Sequence, residues 1–179
     1  MLLGEYGNYS ESTRRDLNLV TQPGGEGNWG IEFEENMLCD DQEYRLNEND
    51  PDNGVDYPLI RRTISHPATN GVGSFYFAWG TSLSVDPSIA TVLATSGSRE
   101  SSSWRDTNYV YQSDINEFSC TWDDSEPRGS FPAMAAVQPG QGRVIAIGDS
   151  SMWFNRAFAL NLVGTSNLAQ SVFTFLSGQ

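Results

Sequence analysis

Ser150, Asp149 and His66 have the side-chain types that could perform nucleophilic catalysis. A serine hydroxyl attacks an ester once a histidine removes its proton and a carboxylate orients that histidine. His66 is the one histidine in the sequence, and no aspartate stands three residues before it. Two interpretations stay open. Either these residues form a serine hydrolase site, or Asp149 and Ser150 cap a following helix while the His66 imidazole bonds to the backbone of a turn.

The element that must position Ser150 is the apolar run Val144–Ile147, which ends at Gly148. A short continuous apolar run rich in β-branched residues predicts a strand buried on both faces and flanked by two other strands. A helix-like segment follows it. Ligands of open α/β sheets bind at the carboxyl ends of such strands. We therefore expect a site there, with Trp153 and Asn155 beside Ser150.

The spacing of apolar residues predicts the other elements. Helices are expected over 14–20, over 155–163 and in a last segment that begins near Ser166. The spacing in this last segment places Leu168, Val172, Phe175 and Leu176 on one apolar face. Strands are expected over 30–33, 74–79, 83–85, 89–95 and 133–137, and a hairpin-like turn is expected over 138–142. No internal repeat or linker divides the sequence. We therefore expect a single domain over residues 1–179.

Composition excludes several classes of partner. The formal net charge is −13 and the isoelectric point is near 4.2, which argues against nucleic acid and anionic membranes. All ten basic residues are arginine. No apolar run reaches the roughly 20 residues of a membrane span, and the N-terminus lacks signal-peptide features. Cytoplasmic residence and export as part of a larger protein both stay open.

The cysteines and acidic residues give no metal or cofactor motif. Cys39 and Cys120 lie 81 residues apart, without a zinc-binding spacing, so two free buried thiols or one long-range disulfide are the alternatives. A single histidine excludes a multi-histidine metal site. The acidic segment 50–56 lacks the glycine and glutamate positions of an EF-hand. We therefore expect an ordinary loop there, no metal and no cofactor.

Four segments in this order resemble a known domain type: 30–33, 66–72, 142–155 and Asn167 at the start of the last helix. They look like the glutamine-amidotransferase-like domains of gliding-motility-type transporter accessory proteins, to which intraflagellar transport proteins are related. The resemblance implies an α/β fold: a single flavodoxin-like three-layer domain with a mostly parallel sheet. Its enzymes use a cysteine at a strand–helix turn, where this chain has Thr81 and Ser82. The resemblance therefore implies a non-catalytic binding module.

The resemblance also bears on assembly. By this resemblance the chain is expected to lack the usual first strand and helix, and so to be a fragment or a trimmed version that pairs with a partner chain. A missing strand leaves an open sheet edge, and open edges invite pairing with another chain. A homodimer or a bound partner is therefore expected.

A second, shorter resemblance concerns the block 147–150, which looks like the opening block of Gly-Asp-Ser serine esterases. In those enzymes the block lies near the N-terminus and the histidine near the C-terminus, the reverse of the order here. The sequence therefore predicts a non-catalytic domain that binds a protein or a small molecule, with a serine esterase as the alternative. Carbohydrate is one candidate ligand, because exposed tryptophan beside acidic residues can stack on sugars. The expected binding residues are Thr81, Ser82, Trp153 and Asn155.

Overall fold

The computed structural model describes residues 1–4, 11–42, 44, 57–97, 102–112, 117–153 and 164–178. The helices of this part are α1 (Glu11–Thr21) and α2 (Thr165–Ser177), with short 3-10 turns at Pro67–Thr69 and Ser151–Trp153. Its strands are β1 (Leu2–Leu3), β2 (Ile31–Phe33), β3 (Met37–Asp40), β4 (Leu59–Ile60), β5 (Arg62–Thr63), β6 (Phe75–Tyr76), β7 (Leu83–Val85), β8 (Thr91–Thr95), β9 (Ser103–Asp106), β10 (Val110–Gln112), β11 (Glu117–Ser119), β12 (Arg128–Gly129), β13 (Pro132–Val137) and β14 (Val144–Ile147).

The largest sheet has five strands in the order β1-β14-β13-β8-β5. In this sheet β1 runs parallel to β14, and the other three neighbouring pairs are antiparallel. The remaining described strands form smaller antiparallel sheets: β12-β9-β3, β2-β7, β4-β6 and β10-β11. The described architecture is therefore mostly β, in several mixed or antiparallel sheets.

The expectation of a flavodoxin-like three-layer α/β domain with a mostly parallel sheet is wrong. The connection between β13 and β14 shows the physical reason. It spans only residues 138–143, and Gly142 donates a backbone hydrogen bond to Pro139 O across the turn at 3.0 Å. A parallel pair of strands needs a crossover connection of a dozen or more residues. A connection as short as this one therefore gives an antiparallel pair.

The expected strand 144–148 is confirmed as an interior strand. β14 lies between β1 and β13, and its side chains alternate between two apolar clusters. Ile145 and Ile147 belong to the cluster that packs against α2, whereas Ala146 belongs to the cluster that contains β2 and β7 residues. Both faces of the strand are thus covered, which is why an unbroken apolar run is stable there.

The last helix also agrees with its predicted apolar face. Leu168, Val172 and Phe175 of α2 are buried, and Leu176 packs partly against the same cluster. Helix α1 covers the other face of the sheet through Leu17. The expected helix over 155–163 and the acidic loop 50–56 lie outside the described residues. Within the described part of the chain, no helix combines the length and the apolar character needed to cross a bilayer.

The two cysteines form a disulfide, so the free-thiol alternative is wrong. Cys39 on β3 is bonded to Cys120, which follows β11. The bond ties the small sheet β12-β9-β3 to the segment after the β10-β11 hairpin. Met37 and Trp104 pack around it as a third apolar cluster.

Candidate functional site

Asp149 lies directly after β14 and is fully buried. Its Oδ2 accepts a hydrogen bond from Ala78 N–H at 2.5 Å, and its Oδ1 accepts one from Met152 N–H at 3.1 Å. The second bond caps the 3-10 turn 151–153, which agrees with the structural interpretation of Asp149. The first bond ties the end of β14 to the turn that follows β6. Asp149 thus holds two segments together by bonding to their backbone.

The turn that Asp149 bonds is unusually tight. Trp79 has a φ of 61°, a left-handed conformation that bulky residues rarely adopt. Thr81 N–H donates to Gly148 O at 2.7 Å, and a Cβ at Gly148 would lie 1.9 Å from Thr81 O. Gly148 is therefore required because two backbone segments touch there. The ring of Trp79 packs against Tyr57, with 5.6 Å between the ring centroids.

Thr81 and Ser82, two of the expected binding residues, are fully buried. Thr81 Oγ1 donates to Glu34 O at 2.5 Å. The side chain of Asn36 forms two hydrogen bonds with Ser82. Its Oδ1 accepts from Ser82 N–H at 3.1 Å, and its Nδ2 donates to Ser82 Oγ at 3.0 Å. These bonds join the segment that follows β2 to the segment that precedes β7. They give both residues a structural role, and their role in ligand binding stays a prediction.

The remaining residues predicted near Ser150 are only partly described. Ser150 is partly buried, and its carbonyl oxygen accepts from Trp153 N–H at 3.1 Å. Trp153 packs against the cluster beneath α2. Asn155 lies outside the described residues. Binding roles for Trp153 and Asn155 stay predictions.

The described contacts of His66 are with its own turn and with α2. Its Nδ1 accepts a hydrogen bond from Ala68 N–H at 3.1 Å, and its ring packs edge-on against Phe175 at 4.9 Å between centroids. A triad histidine instead donates its Nδ1 proton to a carboxylate. Because Nδ1 accepts here, the neutral ring carries its proton on Nε2. The described contacts therefore give the hydrolase interpretation no support.

His66 lines an open cavity of about 590 Å³. The walls come from the end of β5 and from the chain that follows it, and they consist of Thr63, Ile64, Ser65, His66, Pro67, Thr69, Asn70 and Gly71. Two of the hydroxyls are already used: Thr63 Oγ1 donates to Val72 O at 3.2 Å and Thr69 Oγ1 to Ile64 O at 2.6 Å. Helix α2 supports the same turn, because Ser171 Oγ donates to Asn70 O at 2.6 Å. These hydrogen bonds to backbone carbonyl groups thus fix the conformation of the segment that lines the cavity.

The electrostatics of the cavity favour a neutral donor. Partial burial lowers the pKa of His66 from its ordinary value of 6.5, so the ring is uncharged at neutral pH. Ser65 and Asn70 are exposed polar residues of the lining, and Ile64 is 45% exposed. A ligand there would meet an N–H donor, small polar groups and one apolar side chain. This set suits a short peptide with hydrogen-bond acceptors and an apolar side chain.

Trp104 and Trp122 expose little ring surface on which a sugar could stack. Trp104 is buried, and Trp122 is 39% exposed. The guanidinium of Arg128 lies between these two indoles, 5.2 Å from the Trp104 ring and 4.4 Å from the Trp122 ring. One face of Trp122 is therefore covered within the protein. Arg128 also forms an ion pair with Asp41 at 2.8 Å.

A second cluster of reactive groups was missed in the sequence. The two cysteine sulfurs and a carboxylate oxygen of Asp106 lie within 4.8 Å of one another. Among the described residues, these three bring together atoms of the kind that bind metal ions. The two sulfurs, however, are bonded to each other. The Asp106-Thr107-Asn108 run is typical of a side-chain-capped turn, and Asn108 N–H does donate to Asp106 Oδ1 at 2.9 Å. Nothing in the sequence indicated that this turn faces Cys39 and Cys120.

Comparisons with known proteins identify the fold alone. No family model matches the chain, and no curated protein matches it. Among solved structures it is similar to one described as the mmIFT52 N-terminal domain, with a TM-score of 0.60 and 15% sequence identity. The match covers 97% of this chain and 62% of that one, so the chain spans less than two thirds of the structure it matches.

This neighbour agrees in part with the expected resemblance, which included intraflagellar transport proteins. The glutamine-amidotransferase-like part of that expectation is not confirmed, and the flavodoxin-like part is contradicted by the sheet topology. The similarity concerns the fold of the chain as a whole. It assigns no residue of this chain to a site.

Proposed function

We propose that residues 1–179 form one non-catalytic protein-binding domain, with the cavity around His66 as its binding site. The observation that carries the proposal is the bond from Ala68 N–H to His66 Nδ1. It fixes the ring and leaves a neutral Nε2–H as the donor beside the cavity. A fixed donor in a concave polar surface recognises an acceptor without a cost in side-chain ordering.

The other candidate residues support a binding role over a catalytic one. Asp149, Thr81 and Ser82 use their side chains to hold backbone segments together. The similarity to the mmIFT52 N-terminal domain supports the same conclusion at the level of the fold. The proposed ligand is a short segment of a protein partner whose backbone carbonyl or carboxylate accepts from His66 and whose apolar side chain packs on Ile64.

A peptide selection tests this proposal. Random short peptides displayed on phage are selected on the immobilised protein, and binders are measured again on two variants. Ser65→Trp fills the exposed cavity wall, whereas Ser166→Trp places the same side chain on an exposed position of α2 outside the cavity. We expect peptides that lose about tenfold or more in affinity for Ser65→Trp and keep it for Ser166→Trp.

Two results would contradict the proposal. One is a selection that yields no peptide above background. The other is a set of binders that Ser65→Trp does not weaken, which would place the binding surface elsewhere. Because the protein contains a single histidine, its ring resonances provide an independent readout. They should shift saturably with a selected peptide.

A further inference from the structure

The pair Cys39 and Cys120 is asymmetric in its access to solvent. Cys39 is fully buried, whereas Cys120 is partly exposed. Thiol–disulfide exchange requires that an incoming thiolate can reach one of the two sulfurs, and the difference in burial makes Cys120 the sulfur that is attacked. Among the described residues, no contact joins this pair to the lining of the His66 cavity. The proposed binding function does not use the pair.

The segment that carries Cys120 is held in place without the S–S bond. Thr121 N–H donates to Asp106 Oδ2 at 2.9 Å, and Asn108 Nδ2 donates to Asp123 Oδ2 at 2.8 Å. On the other side, Cys39 lies on β3, which pairs with the β9 strand that ends at Asp106. The two sulfurs would therefore stay neighbours after the bond is broken. A reversible dithiol–disulfide couple needs such a fixed geometry.

Asp106 is placed to exchange a proton with the sulfurs. Its side chain is fully buried, and a carboxylate oxygen lies within 4.8 Å of both sulfurs. Burial, together with the negative charge of Glu126, raises the pKa of Asp106, although hydrogen bonds from the backbone of Thr121, Asn108 and Tyr109 oppose the rise. Met37 O lies 3.7 Å from Cys39 Sγ, within reach of the proton of a Cys39 thiol.

We propose that Cys39 and Cys120 form a thiol–disulfide exchange site for a partner dithiol, with Asp106 as the acid that protonates the leaving Cys39 thiolate. A thiolate of the dithiol attacks Cys120 Sγ, a mixed disulfide forms, and the Cys39–Cys120 bond breaks. Cys39 leaves as a thiolate and takes a proton from Asp106.

The second half of the exchange completes the balance. The other thiol of the dithiol loses its proton to water and attacks its own sulfur in the mixed disulfide. Cys120 leaves as a thiolate and is protonated from water. Asp106 regains from water the proton that the first thiol of the dithiol released when it ionised. Two electrons and two protons thus pass from the dithiol to the cysteine pair, and the dithiol becomes a disulfide.

The first experiment measures reduction of the folded protein by dithiothreitol, with free thiols counted by alkylation and mass spectrometry. We expect reduction under native conditions that is much faster than global unfolding, with circular dichroism unchanged in the reduced protein. A purely structural disulfide would be reduced only as fast as the protein unfolds, or its reduction would unfold the chain. Either result would overturn the proposal.

A matched pair of single-cysteine variants tests which sulfur is attacked. Cys39→Ser leaves the accessible Cys120 thiol, and Cys120→Ser leaves the buried Cys39 thiol. With oxidised glutathione, we expect Cys39→Ser to form the mixed disulfide about tenfold faster or more. Equal rates, or faster reaction of Cys120→Ser, would contradict the assigned direction of attack.

Asp106→Asn tests the proton transfer. We expect the rate of reduction to fall about tenfold or more and its pH profile to lose one inflection. Asp124→Asn, a change at an exposed carboxylate of the same segment, should keep both. An unchanged pH profile in a folded Asp106→Asn protein would exclude Asp106 from the step. If that variant does not fold, the two cysteine variants still decide whether the exchange site exists.

Discussion

The carboxylate of Asp149 accepts a hydrogen bond from the backbone of Ala78, across 71 residues of sequence, at 2.5 Å. This bond joins the end of β14 to the left-handed turn at Trp79. Asp149, which the sequence offers as a candidate catalytic residue, therefore has a structural role: its carboxylate links two backbone segments. The same relationship predicts how the protein responds to changes at this turn.

Replacement of Asp149 should lower stability strongly. Asp149→Ala leaves the N–H groups of Ala78 and Met152 without their acceptor in a buried place, and we expect a loss of about 3 kcal/mol in the free energy of unfolding. Asp149→Asn keeps one acceptor oxygen and should lose about half as much. Urea denaturation followed by circular dichroism measures both. Equal, small losses for the two variants would show that these bonds contribute little.

Gly148 should tolerate no side chain. A Cβ there would lie 1.9 Å from Thr81 O, so Gly148→Ala forces the two segments apart, and we expect a loss of about 3 kcal/mol or more. The matched control is Gly73→Ala, where an added Cβ meets nothing within 4 Å. The midpoints of thermal unfolding of the two variants provide the comparison. Similar midpoints would mean that the Gly148–Thr81 contact is not tight in solution.

His66 should make stability depend on pH near its ordinary pKa. Its pKa is lowered in the folded protein, so the unfolded chain binds a proton at a higher pH. Stability from this group is therefore complete above pH 6.5 and falls as the pH drops through 6.5 toward the folded-state pKa. Below the folded-state pKa this group causes no further loss.

The reference for this measurement is His66→Asn, because asparagine keeps an acceptor for Ala68 N–H but does not titrate. Urea midpoints are compared between about pH 5 and pH 8. We expect the stability of the wild type relative to the variant to decrease toward acid. The lowered pKa values of Asp86 and Asp123 affect both proteins at lower pH and cancel in the difference. Parallel curves would exclude His66 as the source.

The homodimer expected from the sequence stays a prediction. The edge of the main sheet is the surface where we expect the two copies to pair. The two-residue strand β1 is the edge of the five-stranded sheet, next to the interior strand β14. A second copy could add a strand at this edge. Light scattering with size-exclusion chromatography across the micromolar range should show a dimer. A monomer at every concentration would contradict the expectation.

The sequence by itself determined which segments are buried and on which side. The run Val144–Ile147 predicts an interior strand, and the spacing of Leu168, Val172 and Phe175 predicts the inner face of a helix. Both agree with the structure. Side-chain burial in a strand or helix repeats over two to four residues, so a short window contains the whole signal.

Only the tertiary structure decided how those segments meet. The direction of the main sheet, the bond between Cys39 and Cys120, and the placement of Asp106 beside them depend on contacts between residues far apart in the chain. The short turn 138–142 did carry one clue, because it forces β13 and β14 to be antiparallel, but the family resemblance favoured a parallel sheet. Apolar patterns record that a face is covered. They do not record which segment covers it, because many partners with the same hydrophobic character can bury the same face.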